Sequence, residues 1–453
     1  MNFERHVATY LEDWKASKHR KPLILRGARQ VGKTTFVTEF AKTYDFFISL
    51  NLEKAADKAF FETYDDVNTI LESLFLSNNI TPDQQQNTLL FIDEIQELPK
   101  AIQLLRYFFE EVSELHVIAA GSLLEFAMKE VESFPVGRVE FLYLYPLNFA
   151  EYLQAIGHGT ALKQLTKVPV KPIAHKILIE LFHRYAIIGG MPEVVKRDIE
   201  GENLANLPKV YESIWATYKE DVEKYTSNPT ERRIIKHIMD TAPLYMDQRI
   251  KFQNFGNSNY RSREVGEAMR NLDAAKIIQL IYPTTDIDPP IKPDIKKSPR
   301  LQFLDTGLIN YTLGIQAQLL GMDDLSNALK GAIIPHLITQ EVISLNKITN
   351  TKPNFWIREK KQSSSEVDMV YPFGDKVIPI EIKSGATGTL RSLHLFMDKT
   401  NHPYAIRMYA GEFKIENLTT LEGTPFLLMN LPYYLGTQLP AYIDYFVNNY
   451  KLQ

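Results

Sequence analysis

Residues 27–34 read GARQVGKT, set between the apolar run PLILR (22–26) and the helix-like run KTTFVTEFAKTY (33–44). The stretch fills GxxxxGK[ST] at every specified position. Glycines let such a loop wrap closely, so that its N–H groups and the following helix N-terminus point at phosphate oxygens. On this reading Gly27, Ala28, Arg29, Gln30, Val31, Gly32, Lys33, Thr34 and Thr35 cradle a nucleotide. Lys33 reaches the β and γ phosphates, and the Thr34 hydroxyl holds Mg²⁺. A strand–loop–helix of this kind belongs in a parallel sheet covered by helices on both faces.

Working outward, residues 89–94 (LLFIDE) form a buried-type strand that ends in two acids. Carboxylates at the C-terminal edge of such a strand face the ligand side of an α/β sheet. Asp93 is placed for Mg²⁺ and Glu94 for polarising an attacking water. Ser122 ends the strand HVIAAGS (116–122); it either touches the γ-phosphate or caps the next helix. Arg138, in FPVGRVEF (134–141), either reaches a nucleotide across a subunit interface or pairs with a nearby glutamate.

The 453 residues, 45% of them hydrophobic, suffice for two to four domains. The net charge of -4 gives no sign of a bulk polyanion binder, so a nucleic-acid partner would need a local basic surface. Cysteine is absent, which removes disulfides, thiolate metal ligands and a cysteine nucleophile. The charged start and the lack of any run of eighteen apolar residues argue against a signal peptide and a transmembrane span; a cytoplasmic chain with no membrane partner is expected. Between Thr230 and Arg300 there are thirteen Lys/Arg and nine Asp/Glu, a local excess of four.

A second chemical signal lies at residues 365–385, SEVDMVYPFGDKVIPIEIKSG. Glu381 and Lys383 are two apart in a strand and leave the same face. Gly374 and Asp375 supply a turn, so a hairpin would set Asp368 beside Glu381. Two carboxylates with a lysine alongside are the parts of a divalent-metal site for phosphodiester hydrolysis, with Mg²⁺ or Mn²⁺ as the ion. Glu366 is either a further ligand or a partner of Lys360 or Lys361.

The stretches GARQVGKTT, LLFIDEIQ, AAGSLL, GRVEFLYLYPLNFAEYL, GGMPEVV and FLDTGL resemble the AAA+ ATPases, specifically the bacterial and archaeal family with an AAA domain and a C-terminal domain of unknown function (DUF4143). The resemblance covers nearly the whole chain. It implies ATP as cofactor, a sensor role for Ser122, an arginine-finger role for Arg138, a helical lid and a homo-oligomer. The pattern D-x12-E-x-K resembles the PD-(D/E)xK nucleases, with Val367 where the superfamily name has proline. That likeness implies that Glu341, on an opening helix, joins Asp368 and Glu381 as a metal ligand beside Lys383. Residues 256–283 resemble a winged-helix unit that meets DNA through Arg261, Arg263 and Arg270 or packs within its own chain.

The expected architecture is multidomain α/β. An AAA+ P-loop parallel sheet (1–155) and helical lid (156–227) precede a winged-helix-like unit (228–322), a restriction-endonuclease-like α/β domain (323–420) and a C-terminal extension (421–453). Three readings of the last domain stay open: metal-dependent DNA cleavage, DNA binding without cutting, and a scaffold for a protein partner.

Overall fold

The apolar runs flanking the glycine loop are parallel strands, and their order fixes where the loop sits. A computed structural model describes the chain except residues 1–2, 123, 125–133, 203–205, 225, 227, 321–324, 326–330, 361–362, 386–389 and 453. It divides into two compact units. One comprises Met1–Pro146 with Ala274–Lys276 and Asn346–Asn350; the other holds Leu147–Asp273, Ile277–Leu345 and Thr351–Gln453.

In the first unit, helix α1 (Ala8–Ala16) precedes β1 (Leu23–Arg26), and the glycine loop leads into α2 (Lys33–Ala41). Then follow β2 (Phe46–Asn51), α3 (Ala55–Thr63), α4 (Val67–Ser77), β3 (Thr88–Asp93), α5 (Pro99–Glu111), β4 (His116–Gly121) and β5 (Glu140–Tyr143). The sheet order is β2-β3-β4-β1-β5, with every pairing parallel. Every residue of β3 and β4 is buried, as their apolar sequences require of central strands covered on both faces. Helix α5 opens on Pro99 and buries Ala101, Ile102, Leu104, Leu105 and Phe108, one stripe at helical spacing. The expected strand over VEFLYLYPL is shorter, ending at Tyr143.

The second unit opens with helices α6 (Phe149–Ala155), α7 (Gly159–Leu165), α8 (His175–Ile188), α9 (Pro192–Ile199) and α10 (Leu207–Lys224). Asn148 caps α6 by accepting from the Glu151 N–H at 3.0 Å, and the Glu151 carboxylate returns the bond to the Asn148 N–H. The expected boundary at 155 therefore falls after α6, whereas the first unit ends at Pro146. Helices α11 (Pro229–Thr241) and α12 (Ser262–Ala274) follow, then β6 (Ile278–Ile281), β7 (Pro283–Thr284) and β8 (Arg300–Phe303). Strands β6 and β8 pair antiparallel across the proline-rich excursion.

Helices α13 (Thr306–Thr312), α14 (Gln316–Leu320) and α15 (Ile333–Ser344) lead to the large sheet. Its strands are β9 (Asn354–Lys360), β10 (Ser363–Phe373), β11 (Lys376–Ile382), β12 (Tyr404–Tyr409), β13 (Lys414–Thr419) and β14 (Pro425–Pro432). Helix α16 (Arg391–Met397) lies between β11 and β12 in sequence, and α17 (Leu439–Asn449) follows β14. The order is β13-β14-β12-β11-β10-β9-β7. Strands β9, β10 and β11 form an antiparallel meander, and β12 and β14 continue it in parallel. Residues expected in an extension after 420 thus supply an inner strand: β14 is hydrogen-bonded on both sides, to β12 and β13. Its run PFLLMNLP is buried beyond Pro425, a continuous apolar strand rather than a tail. Among the described residues no helix is long and apolar enough to cross a membrane.

Candidate functional site

The glycine loop leaves β1 and turns into α2 at the C-terminal edge of the parallel sheet. Gly27 fits because a Cβ there would stand 2.2 Å from the Leu144 carbonyl oxygen. From behind, the buried Arg5 guanidinium donates to the carbonyls of Val31 and Tyr145. Lys33 is 7% exposed, and its ammonium donates to the Gly27 and Ala28 carbonyls at 3.0 and 2.9 Å. Ala28 and Val31 are buried, whereas Gln30, Thr34 and Thr35 are exposed; Arg29 pairs with Glu53 at 3.7 Å.

The sheet order brings the acids to this loop. With β4 inserted between β1 and β3, the ends of all three strands lie side by side, about 5 Å apart. The Thr34 hydroxyl donates to Asp93 Oδ2 at 2.7 Å. Burial pushes the Asp93 carboxyl up, against the pull of Thr34 and Lys33. Arg26 is paired with Gly121, so the buried Ser122 stands level with Gly27 between the loop and Asp93. Glu94 takes a left-handed backbone (φ 52°), a strained state for a residue with a side chain, and strain of this kind collects at functional sites.

Gln96 was not legible as a site residue. Its side chain is buried and its Nε2 donates to Glu94 Oε2 at 2.5 Å. A Cβ on Gly121 would meet Gln96 Oε1 at 2.5 Å, so that glycine makes room for the glutamine. The one signal in the sequence is its place two residues after Glu94, at the end of the acidic strand. Arg138 takes the plainer of its two readings within one chain, donating to Glu110 Oε1 at 2.8 Å.

In the second unit the hairpin forms as expected. Met369 pairs with Ile380, which makes Asp368 and Glu381 the next opposed positions. A bulge between Val367 and Val370 on the β9 side re-aims Asp368. Asp368 Oδ2 accepts from the Ile382 N–H at 2.8 Å, and Lys383 Nζ donates to Glu381 Oε1 at 2.6 Å. Burial beside Asp368 pushes the Glu381 carboxyl up.

Glu341 does not join them. Thr339 lines the cleft at Asp368, and two residues along a helix turn the side chain by about 200°, to the opposite face. The Glu341 carboxylate instead accepts from the Phe149 N–H, 3.1 Å from each oxygen, and lies 2.8 Å from Tyr185 Oη. In its place the structure brings Arg300. This guanidinium donates to Glu366, lies 3.3 Å from Asp368 Oδ1 and 3.5 Å from Asp247 Oδ1, and sits 4.6 Å over the Phe355 ring. Glu366 thus pairs with Arg300, and with Arg249 at 3.8 Å; Lys361 and the side chain of Lys360, the partners named for it, lie outside what the structure describes. Among the described residues no group of three or more His, Cys, Asp or Glu is arranged to hold a metal ion.

Comparison with known families places residues 19–153 in the family described as AAA domain. The chain carries an AAA-type ATPase domain. That domain makes the protein an ATP-binding and ATP-hydrolysing enzyme. Residues 330–425 match a domain of unknown function, DUF4143, and residues 179–319 another, DUF8612, whose span crosses the boundary expected at 227. No curated protein sequence matches the chain. Among solved structures, a Walker-type ATPase of Pyrococcus abyssi shares 14% identity over 69% of this chain and 96% of its own, with a TM-score of 0.45. A signal-transduction ATPase with a tetratricopeptide-repeat sensor from Pyrococcus horikoshii shares 11% identity over 74% of this chain and 45% of its own, with a TM-score of 0.27. A chain of Drosophila ORC bound to DNA shares 14% identity over 68% and 84%, with a TM-score of 0.23.

Other stretches that carried the family resemblance meet in one buried knot of the second unit. Asp305 of FLDTGL is fully buried; it accepts from the Gly190 N–H at 2.6 Å and caps α13 through the Leu308 N–H at 3.1 Å. Gly190 of GGMPEVV must be glycine, since a Cβ would stand 1.9 Å from the Leu147 carbonyl oxygen. Leu147 and Phe149 belong to the run LYPLNFAEYL. Tyr185 Oη lies 2.8 Å from both Leu147 O and Glu341 Oε1. One phenol proton cannot serve both acceptors. Burial raises the Glu341 pKa to about 8, and a protonated Glu341 completes the set by donating to Tyr185. These motifs tie four parts of the second unit to one another.

Proposed function

We propose that the protein is an ATP-driven switch in which nucleotide state governs how the second unit holds DNA. The observation that carries this reading is the element order α15–β9–β10–β11–α16–β12, with Asp368 opposite the Glu381–Lys383 strand. That order and that placing support a PD-(D/E)xK-like fold, whose scaffold serves nucleic acid. Helices α11 and α12 with the β6–β8 hairpin support a winged-helix-like unit, and Arg261, Arg263 and Arg270 are exposed for phosphate contacts. Glu341 is turned away from the acids, which favours holding DNA over cutting it.

In the ATPase site, Thr34 and Asp93 would hold the Mg²⁺ that screens the phosphate charge, and their 2.7 Å contact supports that fit. Lys33 exchanges its bonds to the Gly27 and Ala28 carbonyls for the β and γ phosphates. Glu94 takes the proton of the attacking water, Ser122 stands beside the γ-phosphate, and Arg138 serves a neighbouring subunit in a homo-oligomer.

A second reading, a switch acting on a protein partner, is favoured by one observation. Of the thirteen cations between 230 and 300, Arg249, Lys297 and Arg300 are ion-paired with Glu359, Glu366, Asp247 and Asp368, so these three are not offered to a phosphate backbone. The test is ATP turnover with and without DNA, together with a gel shift. DNA-stimulated hydrolysis, lost in Lys33→Ala, supports the first reading; a DNA-insensitive rate with no shift supports the second. Incubation of several DNA forms with Mg²⁺ or Mn²⁺, wild type against Asp368→Ala, checks that no cleavage occurs.

A further inference from the structure

The partly buried Arg300 guanidinium occupies the position where a cation would balance the acids of the β10–β11 hairpin. We propose that Arg300 is a built-in replacement for a divalent ion, so that the Asp368–Glu381 centre takes no metal while that arginine is in place.

Four carboxylates converge here from three parts of the chain: Asp247, Glu366 and Asp368 of β10, and Glu381 of β11. Arg300 contacts the first three, and its Nη1 also lies 3.5 Å from the Asp368 carbonyl oxygen. A divalent ion binds carboxylate and carbonyl oxygens together, and the guanidinium gathers both kinds. It is not a mobile visitor. Its side chain is 12% exposed and stacks on Phe355, and its backbone is fixed in β8, paired through Ile281 to β6.

The remaining valences also fit a taken site. Asp368 Oδ2 is used by the Ile382 N–H and Glu381 Oε1 by Lys383, while Glu381 Oε2 is buried with no hydrogen-bond partner among the described residues. That orphan oxygen, on a side chain 6% exposed, would be a ready ligand for an ion. An ion bound there and to Asp368 Oδ1 would stand against a positive guanidinium 3.3 Å from the same oxygen. Like charges at that separation, little screened by water, oppose entry of the ion. The narrow cleft beside Arg300, lined by Asp247, Thr339, Asn354, Asp368 and Met369, gives an ion a route once the arginine is gone.

The inference does not depend on DNA binding: protein that shifts DNA and protein that does not give the same metal result. The test is Mn²⁺ binding to the full chain without nucleotide, read as the loss of the free-ion EPR signal. Wild type and Asp368→Asn should bind equal amounts, because any ion at the ATPase site is common to both. Arg300→Gln should bind one more ion per chain, and Arg300→Gln with Asp368→Asn should lose it. A wild type that binds one ion more than Asp368→Asn overturns the proposal, as does a folded Arg300→Gln that gains none. Should Arg300→Gln fail to fold, the comparison of wild type with Asp368→Asn decides by itself.

Discussion

Gln96 donates to the carboxylate of Glu94 at 2.5 Å, across a backbone turn that holds Glu94 in a left-handed conformation. A hydrogen bond to a charged group contributes about 1.5–3 kcal/mol, which is roughly a tenfold effect or more on a rate that depends on it. Gln96→Ala should therefore lower kcat for ATP about tenfold with KM little changed, since Gln96 does not touch the phosphate loop. Gln96→Glu should be worse, because it sets a second negative charge against Glu94. Glu94→Gln should bind ATP and turn it over about 10²–10⁴-fold more slowly. Steady-state kinetics with a nucleotide-binding measurement separate these outcomes.

Arg138 spends its guanidinium on Glu110 in a single chain. Action on a neighbouring subunit would make the specific ATPase rate rise with protein concentration, and Arg138→Ala should abolish that rise while leaving the dilute rate unchanged. A rate that is flat in wild type as well removes the arginine-finger role.

Asp305 serves two buried N–H groups at once. Asp305→Ala leaves those of Gly190 and Leu308 without their acceptor, at about 1–3 kcal/mol each, and Asp305→Asn should cost less because one carbonyl oxygen remains. Gly190→Ala should be as damaging, since neither Leu147 nor the glycine turn can move apart freely. Urea denaturation followed by tryptophan fluorescence measures all three.

Glu341 gives a pH dependence whose sign can be stated. An ordinary glutamate titrates near 4.5, and this one near 8 in the fold. Between those values the native state keeps a proton that the unfolded chain has lost, so stability falls as pH rises through the window and is regained on acidification. Asp247, near 7, and Asp305, near 6, act in the same direction. His336, buried with its pKa near 3, acts oppositely below about 6.5. Glu341→Gln should flatten the loss of stability between pH 6.5 and 8, read as the difference between variant and wild-type unfolding midpoints.

The ATPase half was legible because its signals are local. A strand, a glycine loop and a helix are contiguous, and LLFIDE carries both its burial and its acids. The hairpin was legible for the same reason: the Gly374–Asp375 turn fixes the register that opposes Asp368 to Glu381. Glu341 was assigned by analogy of position on a helix, and helical phase then turned it to the other face. Arg300 lies 68 residues from Asp368 in another domain-sized segment, and no period or spacing connects the two. β14 was passed over because an apolar strand without an acid, glycine pattern or charge carries fold but no chemistry.

The knot around Asp305 has a consequence for how the protein can be divided. Its members come from residues 147–149, 185–190, 305–308 and 341, stretches that the sequence would assign to the ATPase core, the lid, the middle unit and the C-terminal domain. Excising any one of those pieces at the apparent linkers would expose a cut face of buried N–H and carboxyl groups with no counterpart in solvent-facing protein. Fragments ending near 227 or beginning near 323 should be insoluble, whereas one spanning Leu147 to the C-terminus keeps every bond of the knot. The second unit should thus fold, and be expressed, as a single piece.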